Sequence, residues 1–167
     1  DLALRLTPYV AGEQPKNVKL IKLNTNENPY PPSPKVAEAI AGVPADALRL
    51  YPDMDATALC AAIAKVNGVD PACVFCGNGS DEVLAFAFAA FFAGKKLLAP
   101  DVTYSFYPVY ADLFGVDYQT VPLTEKFEVD VAGLMQGCPV ALANPNAPTG
   151  ILLGSGEVRR LARHTRD

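Results

Sequence analysis

Residues 76–92 read CGNGSDEVLAFAFAAFF, and this stretch indicates the class of fold. Its second half is an apolar pattern with almost no polar face, which predicts a helix that is buried on nearly every side. Its first half places Gly77 and Gly79 among polar residues, at the point where that helix begins. A buried helix that starts on so flexible and polar a turn is typical of a place where something is bound.

The segments on either side alternate between strand and helix patterns. Alternation with short turns predicts an α/β protein whose mostly parallel sheet is covered on both faces. The proline-rich residues 26–35 predict an extended segment. We predict strands at 19–23, 73–76, 96–99, 116–121 and 140–143, and helices at 34–40, 55–67 (with an apolar stripe of Leu59, Ile63 and Val66), 83–93, 106–114, 129–135 and 157–164.

The composition narrows the class of protein. Of 167 residues, 50% are hydrophobic and 19% are charged, which predicts one globular domain with a proper core. The net charge of −4 argues against partners such as nucleic acid or an anionic membrane surface. The apolar run at 83–93 is too short to span a bilayer, and no leader pattern opens the sequence. We therefore predict a soluble, cytoplasmic protein.

The cysteines raise the question of a metal or redox site. Cys73 and Cys76 form a CxxC motif, whereas a zinc site requires a second pair or nearby histidines. The only histidine is His164. Residues 73–76 also fit a buried strand, so we interpret the cysteines as ordinary buried thiols and predict no metal.

Three polar turns follow predicted strands. They are GNGSDE (77–82), DVTYSFY (101–107) and NPNAPTG (144–150), named here the first, second and third turn. Ligands of parallel α/β sheets collect at the carboxyl ends of the strands. The topology therefore predicts that the three turns converge on one edge and form a site.

The first turn precedes a helix N-terminus, where free N–H groups and the helix dipole favour an anion, typically phosphate. Gly77 and Gly79 allow the backbone to come close, and Ser80 can add a hydroxyl. The turn is not a P-loop, and Glu82 stands where a dinucleotide fingerprint has its third glycine. The alternative is a capped turn with Ser80 or Asp81 as the N-cap.

The other turns carry an aromatic ring and amides. Tyr104 can lie against a flat ring or simply pack. Asn144 and Asn146 sit in a loop shaped by prolines and a glycine, which suits either a ligand oxygen or an ordinary turn.

In these motifs the sequence resembles the fold-type I pyridoxal-phosphate aminotransferases, and among them the histidinol-phosphate aminotransferases. The resemblance covers essentially the whole chain, and the order and spacing of the motifs agree. It rests on LTPY (6–9), KLNTNENPYPPSP (22–34), LYPD (50–53), GNGSDE (77–82), the tyrosine turn (101–107) and NPNAPTG (144–150).

The resemblance implies roles for residues that bind pyridoxal 5'-phosphate. Gly79, Ser80 and Asp81 are expected to hold its phosphate, mainly through backbone amides. Tyr104 is expected to stack on the pyridine ring. Tyr51 is expected to reach across a homodimer interface to the phosphate of the partner's cofactor.

The resemblance also implies substrate contacts. Tyr9 is expected near the substrate, and Asn24 and Glu27 in an arm that closes over the site. One position departs from many relatives, which have asparagine immediately before Pro-Thr-Gly as a donor to the cofactor's phenolic oxygen. Here Ala147 occupies that position, so either Asn146 makes the contact through a shifted loop or the contact is absent; we favour Asn146.

The fold implied is a partial three-layer α/β/α large domain (51–167), preceded by an irregular N-terminal arm with part of the small domain (1–50). The implied reaction is amino-group exchange between L-histidinol phosphate and 2-oxoglutarate. None of the lysines falls in the family's catalytic motif, so the lysine that carries the cofactor is expected beyond Asp167, and this chain alone is expected to be an inactive piece. The alternatives are an aromatic aminotransferase, a threonine-phosphate decarboxylase, or a non-catalytic phosphate- or nucleotide-binding module.

Overall fold

A computed structural model describes residue 4 and residues 21–165 of the chain. The described residues fall into two compact units, one of residues 21–76 and the other of residues 77–165 together with residue 4. Among them no helix is long and apolar enough to cross a membrane. In chain order the elements are α1 (Pro34–Ala41), a 3-10 turn (Ala45–Arg49), α2 (Thr57–Asn67), a 3-10 turn (Pro71–Cys73), α3 (Ser80–Ala87) with a π turn (Phe88–Phe92), β1 (Lys96–Pro100), α4 (Tyr107–Phe114), β2 (Asp117–Val121), α5 (Val131–Leu134) and α6 (Ser155–His164).

The unit of residues 21–76 begins as the irregular arm that the prolines predict. A strand was expected at 19–23, but residues 21–23 are not in a strand, so that prediction is wrong for them. Residues 19 and 20 lie outside the described residues. The helix predicted at 34–40 is confirmed as α1, with Pro34 in its first turn. A proline suits that position because the N–H it lacks has no helical partner there.

Helix α2 is confirmed, and it ends at Gly68 in the left-handed conformation. The predicted apolar stripe is not the buried face of α2, because Leu59 and Val66 are exposed and Ile63 is half-buried, whereas Cys60 and Ala64 are buried. The physical reason is that α2 packs against the 3-10 turn Pro71–Cys73 through its small residues.

The strand predicted at 73–76 is also wrong. Asp70 accepts a hydrogen bond from Ala72 N at 2.8 Å, and Pro71 occupies the first helical position. An acidic cap followed by proline starts a helical turn, and this local signal outweighs the apolar run that follows. Val74 is extended, but residues 74–76 pair with no strand among the described residues.

The unit of residues 77–165 contains the predicted parallel sheet. Strands β1 and β2 pair in parallel, with Lys96 opposite Asp117. The strand predicted at 140–143 is reduced to a parallel bridge between Leu98 and Val140. It is short because the third turn begins at Asn144 and takes the chain away from β1.

Both faces of β1 are buried, as the alternation of its side chains requires. Leu97 and Ala99 belong to a core with Phe88 from the π turn and Tyr110 from α4. Leu98 belongs to a second core, whose other buried residues are Val121, Val131, Leu134 and Leu161. The π turn after α3 and helix α4 therefore cover one face of the sheet, and α5 and α6 cover the other, which confirms an α/β/α layering.

The helix predicted at 83–93 begins earlier and is less buried than expected. Phe88 is 1% exposed, whereas Phe86 and Phe91 are 53% and 64% exposed. In the described chain this helix and its π turn pack against α4 and β1 while Phe86 and Phe91 stay exposed, so the prediction of burial on nearly every side is wrong.

Candidate functional site

The first turn brings the backbone into α3 through Gly79, which is the N-cap residue with φ 90° and ψ 169°. This conformation is essentially restricted to glycine, because a Cβ atom strains it. No side chain caps the helix, so the alternative in which Ser80 or Asp81 is the N-cap is wrong. The turn owes its shape to backbone conformation.

The backbone N–H groups at this helix start are the second feature of the turn. Within the described ranges the N–H groups of Ser80, Asp81 and Glu82 donate no hydrogen bond, as expected for the first turn of a helix without a cap. The Glu82 carboxylate accepts a hydrogen bond from Asn78 N at 2.6 Å and so turns back along the chain. An added Cβ at Gly79 would meet nothing within 4 Å, so the turn is open.

The second turn meets the first through a hydrogen bond between side chains. The Tyr104 hydroxyl donates to Asp81 Oδ1 at 2.8 Å. The half-buried Tyr104 ring lies edge-to-face with Tyr107, with centroids 5.5 Å apart. An aromatic ring is thereby fixed beside the start of α3, as the topology predicts.

A second tyrosine contacts the main chain of the same residue. The Tyr110 hydroxyl donates to the backbone oxygen of Asp81 at 3.0 Å. Burial, with the negative charge of Asp81, raises the pKa of Tyr110 to about 12, so this hydroxyl keeps its proton. Sequence reasoning missed Tyr110, because nothing in its local pattern indicates a contact 29 positions away.

The third turn is tied to the second by Asn146, whose side chain is 1% exposed. Its amide nitrogen donates to the oxygen of Val102 at 2.9 Å and to Thr149 Oγ1 at 3.3 Å. Its amide oxygen accepts from Thr103 Oγ1 at 2.8 Å. Both amide hydrogens of Asn146 thus have acceptors within the protein. Thr103, like Tyr110, is a residue of these contacts that sequence reasoning missed.

Asn144 gives the third turn its other anchor. Its side chain accepts from Leu153 N at 2.8 Å and donates to Leu153 O at 3.1 Å, as a paired strand residue would. The peptide bonds Asn144–Pro145 and Ala147–Pro148 are cis. The convergence predicted for the three turns is therefore confirmed, because Asp81 meets Tyr104 and Thr103 meets Asn146.

The geometry is accompanied by a clear likeness to known proteins. The sequence model of the family described as Aminotransferase class I and II matches residues 18–167. The chain belongs to this aminotransferase family. The cofactor of the family is pyridoxal phosphate.

One curated aminotransferase that the chain resembles is the histidinol-phosphate aminotransferase of Acinetobacter baumannii (strain SDF). The two are 56% identical over an alignment of 167 positions that covers 97% of this chain and 46% of that protein. The chain thus spans about half the length of the curated relatives it matches.

Solved structures of an aminotransferase and a decarboxylase share the fold. The histidinol-phosphate aminotransferase of Sinorhizobium meliloti, in complex with pyridoxal-5'-phosphate, is 27% identical with a TM-score of 0.73, over 84% of this chain and 40% of that one. The L-threonine-O-3-phosphate decarboxylase of Porphyromonas gingivalis is 28% identical with a TM-score of 0.58, over 71% of this chain and 35% of that one. The described sheet and helices are accordingly part of a fold-type I α/β/α domain.

The remaining residues that the aminotransferase resemblance singles out lie in the unit of residues 21–76 or outside the description. Tyr51 is fully exposed. Asn24 and Glu27 lie in the exposed arm, where the Glu27 carboxylate pairs with the Lys22 ammonium. Tyr9 lies outside the described residues. The unit of residues 77–165 therefore contains Gly79, Ser80, Asp81, Tyr104 and Asn146, and the unit of residues 21–76 contains Tyr51, Asn24 and Glu27.

Proposed function

We propose that the first turn binds the phosphate of pyridoxal 5'-phosphate through the N–H groups of Ser80 and Asp81, with Gly79 giving the close approach. The observation that supports this is the open helix start whose N–H groups have no acceptor among the described residues. The positive end of the helix dipole favours a phosphate there. The Asp81 carboxylate is held by the Tyr104 hydroxyl, which fixes its position beside the helix start.

Tyr104 is proposed to lie against the pyridine ring. A tyrosine face offers area and a suitable quadrupole for an electron-poor ring. When bound, pyridoxal phosphate supplies an electron sink for the bonds of an amino-acid substrate. The part played by this chain is to bind the phosphate, to position the ring and to hold the three turns together.

Asn146 is retained as a candidate for the phenolic oxygen of the cofactor. A bond to the cofactor requires Asn146 to exchange its donation to Val102 or Thr149, since both of its hydrogens are in use. The contact stays a prediction, and the observed hydrogen bonds favour a role in holding the loop.

The reaction we propose for the whole protein is transfer of an amino group between L-histidinol phosphate and 2-oxoglutarate, in histidine biosynthesis in the cytoplasm. The support is the 56% identity to a histidinol-phosphate aminotransferase across 97% of the chain. Tyr9, Asn24 and Glu27 are the proposed substrate contacts. We propose a homodimer in which Tyr51, fully exposed in this chain, reaches the partner's cofactor.

We propose further that this chain alone does not transaminate, because none of its lysines matches the catalytic motif of the family. The proposed domain division follows the same resemblance, with an arm and part of the small domain in residues 1–50 and part of the large domain in residues 51–167.

Cofactor binding is tested with 4-deoxypyridoxine 5'-phosphate, which lacks the aldehyde and so cannot react with stray lysines. Titration calorimetry on the 167-residue chain should give an affinity at least about tenfold higher than for 4-deoxypyridoxine without the phosphate, since charge-assisted hydrogen bonds contribute roughly 1.5–3 kcal/mol each. Equal affinities would contradict the phosphate site. Tighter binding of a nucleotide would favour the alternative of a non-catalytic nucleotide-binding module.

The substrate is tested with the whole protein that contains this chain. L-Histidinol phosphate with 2-oxoglutarate should yield glutamate, and O-phospho-L-threonine should yield no carbon dioxide. Decarboxylation of O-phospho-L-threonine would favour the alternative that the likeness to the Porphyromonas gingivalis enzyme raises. A preference for aromatic amino acids would favour an aromatic aminotransferase.

A further inference from the structure

Cys60 and Cys76 meet in the unit of residues 21–76, although they are 16 positions apart in the chain. Their sulfur atoms are 3.6 Å apart, within hydrogen-bonding distance for thiols. Both are free thiols, and the Cys60 thiol also reaches the oxygen of Asp55 at 3.5 Å. The cysteine pair made by the fold is therefore not the CxxC pair of the sequence, because Cys73 is exposed and is not the partner of Cys76 in this contact.

The two thiols line one cavity, whose volume is about 340 Å³ and whose walls include Met54, Thr57 and Phe75. Cys60 is buried on α2, whereas Cys76 is half-buried. A small oxidant therefore reaches Cys76 more readily than Cys60. Reactivity of a thiol depends on such access and on its thiolate fraction.

We propose that Cys60 and Cys76 are a site of reversible oxidation, at which they form an intramolecular disulfide by exchange with a low-molecular-weight disulfide such as oxidised glutathione. The Cys76 thiolate attacks one sulfur of the oxidant, a new S–S bond forms, and one glutathione thiolate leaves. Cys60 then loses its proton, and its sulfur attacks Cys76 and expels the second glutathione. The two cysteines are oxidised to a disulfide, and the oxidant is reduced to two glutathione thiols, which take up the two protons that the cysteines lose.

The order of attack follows from the surroundings of the two sulfurs. Burial, the hydrogen bond with Cys76, and the charges of Asp53 and Asp55 raise the pKa of Cys60. Cys60 is therefore a poorer nucleophile than Cys76 for the attack on the oxidant. Because it already lies against Cys76, it is well placed for the second attack, on the sulfur of Cys76. A cytoplasmic disulfide of this kind is expected to be transient and sensitive to redox conditions.

The bond would close residues 60–76 into a covalent loop that ends immediately before Gly77. A cross-link restricts the unfolded chain and so raises stability when native geometry tolerates it. This inference does not depend on the cofactor, and it holds or fails independently of the proposed enzyme activity.

The experiment is oxidation of the 167-residue chain with graded ratios of oxidised to reduced glutathione, followed by alkylation, digestion without reductant, and mass spectrometry. The expected result is a cross-linked peptide pair that contains Cys60 and Cys76, reversed by dithiothreitol, with Cys73 and Cys138 alkylated. A Cys73–Cys76 bond as the main product would overturn the proposal. So would stable glutathione adducts on Cys76 beside a free Cys60.

Variants separate the site from general thiol chemistry. Cys60→Ser and Cys76→Ser should each abolish the cross-link, whereas the matched controls Cys73→Ser and Cys138→Ser should leave its yield unchanged. If the buried Cys60→Ser variant does not fold, the peptide map of the wild-type chain still decides the question.

Discussion

The Tyr104 hydroxyl and the Asp81 carboxylate lie 2.8 Å apart, although the two residues are 23 positions apart in the chain, and this hydrogen bond joins the first and second turns. Tyr110 fixes the backbone of the same aspartate. Asp81 is thus held at both its side chain and its main chain at the start of α3. The ring of Tyr104 and the N–H groups of the first turn consequently keep a fixed relation, which a ligand with a phosphate and a flat ring requires.

Replacing Tyr104 separates the hydroxyl from the ring. Tyr104→Phe removes the bond to Asp81 but keeps the aromatic face, so the affinity for 4-deoxypyridoxine 5'-phosphate should fall only about threefold or less. Tyr104→Ala removes the face and should weaken binding about tenfold or more. The measurement is titration calorimetry, with Tyr118→Phe on β2 as the matched control. Equal losses for Tyr104→Phe and Tyr104→Ala would show that the ring does not contact the ligand.

Gly79→Ala tests the conformation of the first turn. The added Cβ meets no atom within 4 Å, so its cost is backbone strain at φ 90°, of about 1–3 kcal/mol in the free energy of unfolding. Relief of that strain would reorient the N–H groups, so the affinity for the phosphorylated ligand should fall as well.

The control for that substitution is Gly156→Ala in α6. An added Cβ there also meets nothing, but the backbone is helical. We expect it to stabilise the chain by about 0.5–1 kcal/mol. Urea unfolding measures both changes, and a destabilisation shared by the two variants would contradict the strain at Gly79.

Elements that depend on the local sequence could be predicted, whereas features that depend on contacts with other elements could not. Strand β1 follows from its apolar run, because the sheet buries this strand on both faces. The strand at 73–76 was predicted wrongly because the Asp70–Pro71 helix start is a stronger local signal than the apolar run. The buried face of α2 could not be predicted from the apolar stripe. It is determined by packing against Pro71–Cys73, and the local periodicity of the sequence carries no information about that contact.

The candidate site shows the same division. Glycines, polar residues and their place after predicted strands indicated where the three turns meet. The partners were not predictable, because Asn146 contacts Thr103 across 43 positions and Tyr110 contacts Asp81 across 29. A single sequence records no such pairs, so the buried role of Asn146 needed the structure.

Asn146→Ala should destabilise the third turn strongly. It removes hydrogen bonds with Val102 and Thr103 from a residue that is 1% exposed, and it leaves buried polar groups without partners. We expect a loss of about 2–4 kcal/mol in the free energy of unfolding. Asn144→Ala is the matched control: its bonds to Leu153 are exposed to water, so its loss should be about 1 kcal/mol or less. Similar losses in urea unfolding would contradict the structural role of Asn146.

Asp53 of the LYPD motif caps α2 in place of the helix's own N-cap residue, Ala56, which has no side-chain acceptor. The Asp53 carboxylate accepts from Thr57 N at 2.7 Å and from Asp55 N at 3.1 Å. A hydrogen bond with the Thr57 side chain, followed by those from the N–H groups of Thr57 and Asp55, lowers the pKa of Asp53. A carboxylate at a helix start is also favoured by the helix dipole.

The lowered pKa fixes the pH dependence of this cap. Because the folded-state pKa lies below the unfolded value of about 3.9, the stabilisation is fully present above that value and is lost as the pH falls through the folded pKa. Asp53→Asn should therefore lower the thermal midpoint by a few degrees at pH 7, and the difference from wild type should shrink below about pH 4. Circular dichroism melts between pH 7 and pH 2.5 measure it, with Glu38→Gln on α1 correcting for the loss of one negative charge. A difference that stays constant across that range would show that the charged form of Asp53 does not stabilise α2.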